Sequence, residues 1–88
     1  MTKKEAKPIL YGEQEGHCAG CGEHFEARHL EVDHEVPRSK GGGDFYANFQ
    51  LLCGNCNRIK GNRPMEYLLM VIAKRKAQRA VFGATPSS

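Results

Sequence analysis

Cys18-Ala-Gly-Cys21 and Cys53-Gly-Asn-Cys56 put two CxxC units, 31 residues apart, into a chain of 88 residues. A chain this short forms one domain with a modest core and often needs a staple. Four thiolates complete a tetrahedral zinc site, and the Gly and Asn around them are not the apolar neighbours of a cysteine-packed core. We therefore expect structural Zn²⁺ on Cys18, Cys21, Cys53 and Cys56. His17 and His24 are substitute ligands in type, but four sulfurs already fill the tetrahedron. Gly20 and Gly22 allow the turn that points backbone N–H groups at the sulfurs. The gap exceeds that of a simple zinc ribbon, so the insert must be a structured excursion, which a hairpin would satisfy.

No apolar run approaches the roughly 20 residues of a membrane span. The leading MTKKEAKPIL is charged and lacks the apolar stretch of a secretory signal. The expectation is a cytoplasmic protein without a membrane partner, where paired cysteines point to metal and not to disulfides.

Residues 1–8 read as a flexible polar lead ended by Pro8, and 9–15 as a short helix with Ile9 and Leu10 inward, stopped by Gly16. Residues 23–29 read as a loop. Residues 30–36 alternate, with Leu30, Val32 and His34 on one side and Glu31, Asp33 and Glu35 on the other: a strand closed by Pro37. The segment RSKGGGD reads as a wide loop, with Asp44 capping a helical turn at 45–47. Residues 49–52 form the partner strand and 55–60 a helix ended by Gly61 and Asn62. Pro64 opens a last helix whose Met65, Leu68, Leu69 and Ile72 make an apolar stripe and which stops at Gly83. One domain spans 9–83, and 84–88 read as a disordered tail.

Inside the excursion, Asp33 and the Asn57 amide offer hard oxygen donors to a divalent ion, and neutral His34 is a proton acceptor for water. Alternation sends Asp33 and His34 to opposite faces, so they share a site only where the strand is distorted or at its edge. An Asp-His pair on a strand is otherwise an ordinary surface salt bridge. Position favours the chemistry: Asn57 follows Cys56, so zinc would fix the start of its helix, and Asn48 could hold the loop and orient the His34 ring from behind.

At Asp33-His34, VPRSKGG, NFQLLC and CNRIKG, the chain resembles the HNH endonucleases of the ββα-metal (His-Me finger) type, in their four-cysteine zinc subclass. The resemblance covers about residues 9 to 63. It implies a small zinc-stapled α+β domain with a ββα-metal core and a C-terminal helix. It implies His34 as general base, Asn48 as brace, and Asp33 with Asn57 as ligands of a catalytic ion. Asn stands at the third motif position. An amide oxygen is a harder, weaker ligand than imidazole, which favours Mg²⁺ or Mn²⁺ over Zn²⁺ or Ni²⁺. Family products are usually 5′-phosphate and 3′-hydroxyl ends.

Charge is consistent with a polyanionic substrate. Net charge is +3, but residues 1–50 carry six Lys/Arg against nine Asp/Glu, whereas 51–88 carry seven against Glu66 alone. Arg38 and Lys40 beside the glycines, and Arg58, Lys60 and Arg63 around the metal helix, are the expected DNA contacts. The expected function is metal-dependent nicking of DNA with low or partner-supplied sequence specificity. Duplex cleavage would then need a homodimer, a partner protein or two encounters. The rival is a zinc-dependent DNA-binding module without cleavage, which would not need Asp33, His34 and Asn57.

Overall fold

The computed structural model describes residues 1–83, with side chains through Arg79. The elements are helix α1 (Lys3–Glu13), strands β1 (Leu30–His34) and β2 (Phe49–Cys53), and helices α2 (Gly54–Lys60) and α3 (Met65–Gly83). Three 3₁₀ turns, Ala27–His29, Arg38–Lys40 and Tyr46–Asn48, lie in the connections. The strands pair antiparallel from Leu30↔Cys53 to His34↔Phe49. The β1–β2–α2 run is the expected ββα core within an α+β fold.

All five residues of β2 are buried. Alternate side chains of a strand point to opposite faces, so both faces of β2 must be covered. Helices α1 and α2 both pack on it. Ala6 and Leu10 come from α1, Leu30 from β1, and Leu68 from α3, closing around Phe49, Leu51, Leu52 and the cysteines. The edge of β2 away from β1 is also closed. Leu51 N–H donates to Gln14 Oε1 (2.9 Å), and Leu51 O accepts from Gln14 Nε2 (3.2 Å) and Ala19 N–H (3.0 Å). A side-chain amide thus completes the ladder and blocks edge pairing.

The N-terminal segment departs from the expected lead. Thr2 and Glu5 form a reciprocal capping box that starts α1 at Lys3, and Pro8 lies inside the helix. Pro8 has no N–H for the carbonyl four residues back, but the cap and the burial of Ala6 and Leu10 hold the helix. Ile9, expected inward, is 46% exposed, because Ala6 and Leu10 define the inner stripe. On α3, Leu68 is buried and Met65 and Ile72 pack against the core, but Leu69 is 47% exposed. β1 ends at His34, two residues short of the expected strand. The expected tail, 84–88, lies outside the described residues. Among the described residues, no helix is long and apolar enough to cross a membrane.

Candidate active site and metal centre

At the β2–α2 junction the four cysteine sulfurs lie within 4.8 Å of one another, with Cys21 Sγ and Cys53 Sγ 4.0 Å apart. Cys53 caps α2 through its sulfur, which accepts from Cys56 N–H (3.4 Å). Cys18 Sγ accepts from Gly20 N–H and Cys53 N–H, both at 3.3 Å. Burial works to raise the Cys18 thiol pKa, but backbone donors led by Cys53 outweigh it and bring it down to about 7. Burial raises Cys21, and burial with the neighbouring sulfurs of Cys18 and Cys53 raises Cys56. Four sulfurs this close cannot all ionise without a cation among them, so the donor set fits a divalent soft metal such as Zn²⁺. Gly20 is needed for this approach: a Cβ there would lie 2.9 Å from Cys56 Sγ.

Along β1 the polar residues sort onto two faces. Glu31 and Asp33 share the side that meets α2, where Asn57 Nδ2 reaches Glu31 Oε2 at 3.5 Å. Asp33 Oδ2 pairs with Lys60 Nζ (2.9 Å) and accepts from Gln50 Nε2 (3.3 Å). Lys60 also donates to His34 O (2.7 Å) and is 0% exposed. This corrects Lys60 as a DNA contact: its ammonium turns inward to tie α2 to β1, and no phosphate can reach it. Arg38, Lys40, Arg58 and Arg63 are exposed. Arg63 stacks over the Tyr67 ring, 4.4 Å from its centroid.

His34, on the other side of β1, is 9% exposed and edge-on to Phe49, with ring centroids 5.3 Å apart. Its Nε2 lies 2.6 Å from Asp44 Oδ1, while Arg38 Nη1 approaches Asp44 Oδ2 at 3.5 Å. The hydrogen bond to His34 holds the Asp44 carboxyl below its ordinary range, with Arg38 adding to the effect. Asp44 is therefore not the expected helix cap. The turn is Tyr46–Asn48, its cap residue Phe45 makes no side-chain bond, and the carboxylate goes to imidazole instead.

Asn48 is buried and closes the loop, as its position led us to expect. Its Oδ1 accepts from Val36 N–H (3.0 Å), and its Nδ2 donates to Val36 O (3.0 Å) and Gly43 O (3.1 Å). It does not touch the His34 ring; Asp44 does. Gly42 lies so close to this clamp that a Cβ would sit 1.7 Å from Val36 O.

The structure thus gathers Asp33, Glu31 and Asn57 on one side and His34, Asp44 and Asn48 on the other, joined through the adjacent positions 33 and 34. Two carboxylates and an amide oxygen suit a hard divalent ion. Lys60 and Gln50 both engage Oδ2 of Asp33, and Oδ1 takes no hydrogen bond among the described residues. Sequence reasoning missed Asp44, Gln50 and Glu31 as site residues, and it gave Lys60 a DNA contact in place of its pair with Asp33. Glu31 had a legible signal, two residues before Asp33 on the same strand face.

The sequence profile of the HNH endonuclease family matches residues 18–63, running from the first cysteine of the first knuckle to the residue before Pro64. The chain belongs to the HNH endonuclease family. Comparison with curated proteins returns no match.

Proposed function

We propose that this protein hydrolyses DNA phosphodiester bonds, one strand at a time, with His34 as general base and Asp33 and Asn57 as the residues that hold a catalytic divalent ion. The observation that supports this most is the end of β1. His34 is its last residue, so a site just beyond the strand is within reach of both its faces, and the Asp33 face also carries Glu31 and Asn57. In the step, water gives a proton to His34, its oxygen bonds to phosphorus, the P–O3′ bond breaks, and the leaving oxygen takes a proton from solvent. What a bound Mg²⁺ or Mn²⁺ supplies is polarisation of the phosphate and relief of charge on the leaving oxygen. Arg58, next to Asn57 and exposed, is suited to the added transition-state charge; Arg38, Lys40 and Arg63 are suited to backbone phosphates.

The rival, a DNA-binding module without cleavage, draws support from one contact. Lys60 already neutralises the carboxylate that the ion would need. Supercoiled plasmid with and without Mg²⁺ or Mn²⁺ separates the two. On our reading wild type nicks, and His34→Ala loses on the order of 10²- to 10⁴-fold in rate while zinc content and DNA affinity stay unchanged. Wild type that binds plasmid but never nicks it establishes the rival. A His34→Ala protein that nicks as fast as wild type removes the base role from His34.

A further inference from the structure

Asp44 Oδ1 stands 2.6 Å from Nε2 of a nearly buried imidazole, and the loop that carries Asp44 is itself fixed. Asn48 holds the carbonyl of Gly43, the residue before Asp44, and both polar backbone atoms of Val36. Gly42 packs so closely on this clamp that a Cβ there would lie 1.7 Å from Val36 O. The His34 backbone is held from the other side by Lys60. A carboxylate accepts hydrogen bonds and cannot donate them when ionised, so the nitrogen facing it must carry the proton. Among the described residues the other nitrogen, Nδ1, has no protein partner, and no buried side-chain nitrogen or oxygen there lacks one, so Nδ1 reaches solvent.

From this geometry we infer that Asp44 is a positioning residue for the proposed nuclease reaction: it fixes His34 as the Nε2–H tautomer and so makes Nδ1 the atom that takes the proton from water. The inference rests on the nuclease reading for its catalytic consequence but not for the tautomer. On proton transfer the water proton moves to Nδ1, the Nε2–H stays hydrogen-bonded to Asp44, and the carboxylate stabilises the imidazolium without accepting its proton. Arg38 on Oδ2 leaves Oδ1 to the imidazole, so the two contacts divide the carboxylate.

The test uses the zinc-loaded full chain. Long-range ¹H–¹⁵N spectra at about pH 8, where an imidazole is neutral, report the tautomer of each histidine; the His34 signals are assigned by their loss in His34→Ala. Wild-type His34 should be protonated at Nε2, and Asp44→Ala should give a mixture of tautomers. With plasmid substrate, Asp44→Ala should lower kcat about ten- to a hundredfold with KM unchanged, the range for partners that orient a reacting group. Asp44→Asn keeps an acceptor oxygen without the charge, so it should retain the tautomer and recover part of the rate. Protonation at Nδ1 in the wild type, an unchanged tautomer in Asp44→Ala, or a loss confined to KM would overturn the inference. If Asp44→Ala fails to fold, the wild-type tautomer and the rate of Asp44→Asn decide. If wild type nicks no DNA, the nuclease reading falls, and the spectra alone still decide whether Asp44 sets the ring.

Discussion

At the Cys53 end of the hairpin, four sulfurs gather within 4.8 Å and backbone N–H groups aim at them. Among the described residues the His34 end has no such cluster. An asparagine clamps a glycine-rich loop, an aspartate holds an imidazole, and a buried lysine ties strand to helix. Both ends are fixed, but by different physics. The first brings together four sulfurs that can all ionise only with a cation among them. The second is satisfied by the chain itself: no buried polar side-chain atom there lacks a partner among the described residues.

The largest effect should come from breaking the thiolate end. Zinc binding in small domains is folding energy, of order 10–16 kcal/mol in apparent terms, and marginal stability is only about 5–15 kcal/mol. Cys53→Ser removes a ligand and the α2 cap together. It should unfold the domain, seen as loss of the cooperative far-UV melt and of bound zinc. Because the sulfurs bind as thiolates, acid should release zinc from the wild type in parallel with unfolding. A Cys53→Ser protein that melts like wild type would move the foundation of the fold to the other end.

Next in size is the buried pair. Lys60→Ala leaves Asp33, its side chain 13% exposed, without its cation and strips a donor from His34 O. Breaking one partner of a buried pair costs about 3–5 kcal/mol, so the urea midpoint should fall sharply while zinc stays bound. Changing both partners, Lys60→Met with Asp33→Leu, should recover much of the loss. If Lys60→Ala melts normally, the pair is not what ties α2 to β1.

These two residues also show what a sequence can disclose. The cysteines were legible because metal ligation imposes its own spacing and residue type, and strand alternation correctly sorted Asp33 and His34 onto opposite faces. The hairpin, α2 and the role of Asn48 in the loop followed from the same local rules. Lys60 was not legible. A lysine in the last turn of a helix suits solvent and phosphate, and only the packing of β1 against α2 turns it inward. Asp44 had a valid local use as a cap, and its actual partner lies ten residues away across a loop with no periodicity. The start of α1 at Lys3 went unread: Pro8 argued against a helix through it, but the Thr2–Glu5 capping box and the tertiary burial of Ala6 and Leu10 prevailed.

Loop-end changes should be milder and local. Asn48→Ala abandons the Val36 N–H and the carbonyls of Val36 and Gly43, and Gly42→Ala forces a Cβ into Val36 O. Each should cost about 1–3 kcal/mol in a thermal or urea melt. Zinc content should be unchanged, since neither residue contacts the knuckles. Zinc loss in either variant would mean that the two ends are not independent.

The finest comparison sets Gly20 against Gly42, one glycine from each end at which an added methyl would meet close neighbours. At Gly42 the obstacle is a backbone carbonyl that the Asn48 clamp already fixes. At Gly20 the nearest atoms belong to side chains, Cys56 Sγ at 2.9 Å and Leu68 Cδ2 at 3.0 Å, and the leucine tip can turn aside. Gly20→Ala should therefore cost less than Gly42→Ala, about 1 kcal/mol or below in the melt. The sulfur is the less forgiving neighbour, because a metal ligand must keep its place. The residual cost should then appear as easier zinc removal by a chelator, a readout that Gly42→Ala leaves unmoved. A Gly20→Ala protein that loses more stability than Gly42→Ala, with its zinc held as firmly as in wild type, would reverse the assignment of which end tolerates less.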